Sequence, residues 1–593
     1  MLLYVVCCLV CALAILRGWR GLYPKPYVGI PYNTTSTSRV LGDIPELVSA
    51  IRIREGFPDA ILSISTRRLG KPIAQVLFPV FRKPLIVVDD PREVEDILWR
   101  RQVEFDVAQT TLDLLAPMIP YGMFSQFTTP QLKAQKRLWV DVARVSFLHR
   151  AIASPIHDAA RDLVELWQVR QKKNYSVQPF NVLEDLKNAA LDMLWTSVVG
   201  DRPGVTRFEI NKLLGRGIET HEKAPFCTLL KREAVYLSEV VARHAKSPFP
   251  KWAQRFETWT PRYRKFRATV GDEVLRIIKT SSKRLRHLQV EILENDHSTA
   301  SFLDMALRRW TLEAGKAGEP SQDPTKDQLL VDQVFGMLFA GGDSIAYTLS
   351  WFVKFMEAYP GSQHKLRKEL RAAFTTRSPS AEDIIKSQIP YLDATCEELF
   401  RLAGTSTSNL RQALVDTEIL GCKVPKGAEI LLNFHVERTP FPIDESIRSK
   451  SSQTAAARRE DGFFNDANQD VGMFEPRRWL ASDQLAGKET FKPYAIPRLG
   501  FGAATGGVLV KRPHPFLLIL SSCHVLRLIL LSLSVGRNLA TMEVRIFIVL
   551  LILNFEFLAL PEELRGMGGI DNMLRRPNMP FAKIRVLTQT AES

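Results

Sequence analysis

The chain predicts an α+β fold, mainly α, with a small β region, on three observations. From about residue 45 to 380 apolar residues recur at three- and four-residue spacing, the period of helices that bury one face. After residue 405 the pattern changes to short β-like runs separated by turn residues, and helix-rich sequence followed by a block of strands is an α+β layout. Hydrophobic content of 46% against 24% charged residues is that of an ordinary folded protein, which excludes disorder over the bulk of the chain.

The first element is apolar and uncharged. Residues 1–16 (MLLYVVCCLVCALAIL) would make about 24 Å of helix at 1.5 Å per residue, against ~30 Å of hydrocarbon in a bilayer. Gly18, Trp19, Gly21 and Leu22 can extend it into the interface. Positive charge follows the apolar run, at Arg17, Arg20 and Lys25, where a secretory signal would carry it in front. That order predicts an uncleaved transmembrane anchor over 1–22 with the bulk of the protein on the cytoplasmic side. Pro24, Pro26 and Pro31 then make residues 23–44 a stiff linker.

The body, residues 45–593, reads as one domain. Short strands are expected at 74–80 and 84–88, the second closed by Asp89-Asp90-Pro91, and helices at 92–103, 151–169 and 180–199. A polar, Lys/Glu-rich passage over 291–330 precedes a long apolar helix from Gln328 to about Tyr359. The β region follows as 410–415, 418–422, the turn Val424-Pro425-Lys426-Gly427, and 428–433. Residues 440–470, rich in Ser, Ala and Arg, read as an exposed insertion loop.

Charge and cysteines narrow the function classes. A net charge of +15 suits an anionic membrane surface or an acidic protein partner; without a long Lys/Arg stripe or a zinc-finger or RNA-binding signature, the chain is not read as binding nucleic acid. The seven cysteines, three of them in the first apolar segment, show no paired spacing for a disulfide framework or a zinc site.

Four signatures carry chemistry. The first, Ala340-Gly341-Gly342-Asp343-Ser344, sets an acid beside a hydroxyl inside the long apolar helix, where an ionised carboxylate needs water or a function. Its two glycines each lower helix propensity by about 1 kcal/mol relative to alanine, which makes sense if something approaches the backbone closely. The second, Glu398-Leu399-Phe400-Arg401, places opposite charges three apart on one helical face, an arrangement that alone is most often a solvated pair. The third is Phe474-Glu475-Pro476-Arg477-Arg478-Trp479. The fourth is split: Phe501-Gly502-Ala503-Ala504-Thr505-Gly506-Gly507 lies before an apolar stretch, and Gly536-Arg537-Asn538-Leu539-Ala540 after it.

Together and in this order the four resemble the cytochrome P-450 monooxygenases, and among them the membrane-anchored fungal microsomal type. The resemblance implies the cytochrome P-450 fold and haem (heme, iron protoporphyrin IX) as cofactor. It implies an oxygen atom from O2 inserted into a small apolar organic substrate, a secondary-metabolite skeleton by family analogy. NADPH-cytochrome reductase would supply the electrons, and the enzyme would sit at the endoplasmic reticulum membrane facing the cytosol. Asp343 and Ser344 would be the catalytic acid–alcohol pair, with serine where the family usually has threonine. Glu398, Arg401 and Arg478 would form a buried charge network on the proximal side of the haem. Arg411 resembles the arginine that pairs with a propionate, and Lys136 or Arg137 would do the same from an earlier helix, although Leu132 replaces the usual tryptophan.

Phe501, Gly502 and Gly536 would belong to the haem-thiolate loop F-G-x-G-x-R-x-C-x-G, from which this sequence departs twice. Gly506 stands where the loop has arginine, and Val508 or Ser534 stands where the cysteine should be, so no residue is assigned as metal ligand. Residues 508–534 read as an unremoved in-frame intron or as a true insertion in an inactive, membrane-associated relic. Cys523 lacks the glycine-rich turn before it and the glycine after it that an axial ligand would have.

Overall fold

The computed structural model describes residues 22–587 apart from 55, 174–177, 217–223, 248, 288–300, 317–322, 459–469, 484–487 and 501–523. The expected anchor therefore lies almost wholly outside the described residues. By compactness the chain falls into two units, one of residues up to Thr111 with Thr407–Val471, the other of Leu112–Ser406 with Gly472 onward.

The first unit is built on a five-stranded sheet in the spatial order Ile73–Val76, Leu85–Val88, Glu429–Asn433, Ser408–Ala413, Phe105–Val107. Every pairing is antiparallel except Leu85–Val88 with Glu429–Asn433, in register Val87 to Leu431. The run Leu-Ile-Val-Val suits that inner parallel position because all four side chains are buried. Helices Ile44–Arg54 and Phe57–Ile64 cover one face, packing Leu47, Ile61 and Leu62 against Val76, Val87 and Leu431. The proline-rich linker is tied to this sheet: Tyr32 bridges to Gln75, and the Gln75 side chain accepts from Tyr27 N at 2.9 Å and donates to Ile30 O at 2.8 Å.

Two expectations need correction in this unit. The strand expected at 418–422 is two strands, Thr417–Ile419 and Cys422–Val424, because Leu420 (φ 47°) and Gly421 (φ 74°) turn the chain in the left-handed region. The insertion expected as a loose loop is docked over its described part. Glu445–Ile447 forms a 3-10 turn and Lys450–Arg458 a helix. Between them the buried Arg448 makes a two-pronged ion pair, 2.6 and 2.9 Å, with Asp90, the residue that also caps helix Pro91–Trp99.

The second unit is organised by the central helix Gln328–Ala358, started by Asp327, whose side chain accepts from Leu329 N at 3.0 Å. Helix Leu183–Val199 lies against it, and Ala153–Lys173, Pro390–Ala403 and His524–Asn554 complete one apolar core. The last of these buries Val544 to Leu553 almost completely, as the apolar run predicts, and passes at Phe555–Phe557 into a strand paired with Ile584–Val586. Over 291–330, where only a polar passage is expected, Phe302–Lys316 is a helix whose inner face buries Phe302, Leu303, Ala306 and Leu307. Its outward Arg and Glu residues mask that face in a composition-based reading.

Candidate functional site

A cavity of about 760 Å³ lies inside the second unit. The central helix supplies one wall with Gly341, Asp343, Ser344 and Thr348; Phe400, Gly536 and Glu543 come from two other helices. The glycines of the first signature do admit a close neighbour: a Cβ at Gly341 would stand 2.6 Å from Leu194 Cδ1 on the adjacent helix. Helix against helix, rather than a ligand, explains Gly341.

Asp343 and Ser344 both face this cavity. The Asp343 carboxylate stands 3.8 Å from Lys187 Nζ and accepts from Tyr347 Oη at 3.3 Å, so its charge is compensated by a cation and a phenol on the same wall. Burial, and then Asp343 itself, push the Tyr347 hydroxyl above the usual phenol range, which keeps it a donor. Ser344 Oγ donates to Gly341 O at 3.1 Å, and one turn on Thr348 Oγ1 donates to Ser344 O at 2.8 Å and meets Thr405 Oγ1 at 2.9 Å. A row of hydroxyls thus runs along this wall of the cavity.

Glu398 and Arg401 form a buried pair, not a solvated one. Arg401 Nε and one terminal nitrogen each donate to a Glu398 oxygen at 2.8 Å. The third signature folds over this pair: Arg478 Nε comes to 3.5 Å of the same carboxylate, which also accepts from Glu475 N and Trp479 Nε1, each at 3.0 Å. The adjacent Glu397 was not singled out in the sequence, yet it too is buried and holds two arginines. Arg537 reaches both of its oxygens at 2.6 Å and Arg498 reaches one at 3.1 Å. Those arginines flank the interrupted loop, one on each side.

Of the loop itself, Phe501 and Gly502 lie outside the described residues. Gly536 lies within the continuous helix His524–Asn554, on the cavity, and a Cβ there would meet no atom within 4 Å. Gly500, just before the gap, lines the same cavity. Arg411 belongs to the first unit, in strand Ser408–Ala413, where burial lowers its pKa and Asp106 opposes that shift. Lys136 and Arg137 close helix Pro130–Arg137 in the second unit, with Leu132 buried beneath. Trp139, two residues on, lines the cavity and donates from Nε1 to Gln333 Oε1 at 2.5 Å.

Sequence reasoning missed Glu543. It is 3% exposed, faces the cavity, and burial alone pushes its carboxyl up to about 8, so it is neutral at pH 7. The signal was available as a lone acid in the run Asn538-Leu539-Ala540-Thr541-Met542-Glu543-Val544. A folded pKa above the ordinary 4.5 imposes no penalty below pH 4.5, and the penalty grows as pH rises towards 8. Glu543→Gln is therefore expected to stabilise the protein by about 3 kcal/mol at pH 7 and by only about 0.4 kcal/mol at pH 4.5. Urea unfolding at the two pH values checks this; an equal difference at both would assign the effect to packing.

The family model for cytochrome P450 matches residues 71–436, more than half of the chain. The chain is 26% identical to the cytochrome P450 monooxygenase TRI13 of Fusarium sporotrichioides, covering 98% of this chain and 99% of that protein. It is 28% identical to the cytochrome P450 monooxygenase GME11363 of Pestalotiopsis microspora, over 97% and 96% of the two chains. Among solved structures, a cytochrome P450 aligns with a TM-score of 0.62 at 17% identity, over 95% of this chain and all 100% of that one, which speaks for the fold.

Proposed function

Since the chain belongs to the cytochrome P450 family, enzymes that use haem, we propose that with an intact loop it inserts one oxygen atom of O2 into a small apolar organic substrate. A secondary-metabolite skeleton is the proposed substrate class, and NADPH-cytochrome reductase the proposed electron donor. The observation that carries this reading is the joint presence, in one unit, of the buried Glu398–Arg401–Arg478 network and a cavity walled by Asp343 and Ser344. The net charge of +15 supports an acidic redox partner, and the apolar segment 1–16 supports anchoring in the endoplasmic reticulum membrane with the body in the cytosol.

The described residues fit a flat, largely apolar macrocycle. The cavity has the volume, Gly536 leaves open space on its wall, and Gly500 and Phe400 stand beside it. Haem, when bound, supplies the activation of O2. The protein's own part is to hold and move protons. Ser344 Oγ, which donates to Gly341 O at 3.1 Å and lines the cavity, is a hydroxyl able to accept a proton and pass its own on. Asp343, placed by Lys187 and Tyr347, is the acid that would resupply it. Glu543 stores a further proton on the same cavity.

One observation favours a second reading of the chain as written. The only cysteine between Gly500 and Ala540 is Cys523, which lies outside the described residues, and helix His524–Asn554 runs unbroken through the position where a loop cysteine would precede Gly536. On this reading the chain is a membrane-associated relic, or the product of a retained intron, and carries no thiolate-bound haem. The test is the reduced carbon monoxide difference spectrum of protein made from the mature transcript. A long-wavelength Soret band, which only thiolate-ligated haem gives, supports the monooxygenase; a folded, colourless protein from a transcript that keeps codons 508–534 supports the relic.

A further inference from the structure

Among the described residues two cations line the cavity, Lys187 and Arg576. Lys187, on helix Leu183–Val199, has its side chain 12% exposed and its Nζ 3.8 Å from Asp343 and 5.4 Å from the centroid of the Tyr347 ring. Arg576, on strand Leu574–Pro577, is half-buried and makes no hydrogen bond or ion pair among the described residues.

The fold fixes Arg576 at this wall. Its strand pairs antiparallel with Gly569–Asn572, and the chain reverses at Met573, whose φ of 67° lies in the left-handed region that residues other than glycine rarely adopt. Successive side chains of a strand point to opposite faces. Leu574 and Arg576 accordingly line the cavity, while Arg575 between them turns away, lies 4.2 Å over the Trp351 ring and donates to Ala403 O at 3.0 Å. Arg575 N also donates to Thr405 O at 2.9 Å. Those contacts hold the register of the strand, and with it the place of Arg576.

Electrostatics show where this cation acts. Burial and Asp343 raise the pKa of the Tyr347 hydroxyl, and the next influence is Arg576, which lowers it. Lys187, Tyr347, Asp343 and Arg576 thus share one end of the cavity, with two cations to one carboxylate. The other acids on the walls leave Arg576 unpaired: Glu184 and Glu239 are exposed to solvent, and Glu543 is neutral. Ile119, Met123, Phe302 and Phe339 give the remaining surface an apolar character. A guanidinium drawn partly out of water lacks acceptors, and a planar carboxylate supplies two at once.

We propose that the substrate is an apolar skeleton bearing one carboxylate, and that Arg576 binds the carboxylate while the apolar walls take the skeleton. The proposal deepens the monooxygenase reading and rests on it for what becomes of the bound acid. Arg576 is then a specificity residue, because the ester or amide of the same skeleton leaves the guanidinium without its acceptor.

The test is isothermal titration calorimetry of the full chain in lipid nanodiscs at pH 7, with empty nanodiscs as the blank. The probes are adamantane-1-carboxylic, 2-naphthoic and octanoic acids, each beside its primary amide, which matches it in shape and lacks the charge. At least one acid is expected to bind about tenfold or more tightly than its amide. Arg576→Gln should bring that pair to within about twofold without changing the affinity of the amide, and Arg576→Lys, which keeps the charge and loses the fork, should retain part of the preference. Arg576→Met gives the same reading if the glutamine variant does not fold. Equal affinities in the native chain, no binding of any pair, or a preference that survives loss of Arg576 overturns the proposal. Calorimetry needs no haem, so the two readings fail separately. Acid preference without the carbon monoxide band leaves the site and removes the oxygenation, and the band without acid preference removes the site alone.

Discussion

Replacing residues 508–534 by a single cysteine is expected to give a chain that binds about one haem and shows the long-wavelength carbon monoxide band. The structure already holds the two shores of the gap. Arg498 before it and Arg537 after it meet on one buried carboxylate, Glu397, at 3.1 and 2.6 Å, and Gly500 and Gly536 line the same cavity. A short link between fixed ends has little conformational entropy to lose on closing, so the repaired loop should form without help from the deleted segment. The same repair with serine should not give the band, because a hydroxyl cannot take the place of sulfur as electron donor to iron. A repaired chain that folds but takes up no haem would sink this prediction and with it the monooxygenase reading.

Glu398→Ala is expected to destabilise the protein by about 3–5 kcal/mol, a large share of the roughly 5–15 kcal/mol that keeps an ordinary protein folded. The substitution takes the carboxylate away from Arg401 and Arg478, whose side chains are 3% and 7% exposed, and frees the Glu475 N–H and the Trp479 indole N–H. The loss exceeds what the ion pair is worth, because desolvated donors are left without an acceptor. The contrast is Glu382→Ala, whose partner Lys386 is 73% exposed; there water takes over from the lost partner and the midpoint should barely move. Urea midpoints of the two variants check the ratio, and comparable losses would mean that burial is not the source of the effect.

What the sequence made legible was local. The Glu398–Arg401 spacing, the acid beside Ser344 and the apolar run after Ala540 could be read because each is decided by residues a few positions apart. Burial of the Glu398 pair could not, since the groups that complete it lie 77 to 81 residues further along. Arg448 looked like part of a polar insertion because its partner Asp90 is 358 residues away. Glu543 was passed over because a single carboxyl barely disturbs the hydropathy of a helix, although its burial sets its chemistry.

The grip of Glu397 on Arg498 and Arg537 has a consequence for the retained-intron reading of residues 508–534. Because both ends of the loop are held on one buried carboxylate in a chain that carries residues 508–534, a message that retains that stretch can still direct a well-packed product. Cellular proteases recognise unfolded chain, not a missing sulfur atom. On the retained-intron reading such a product would accumulate beside the working form while turning over nothing.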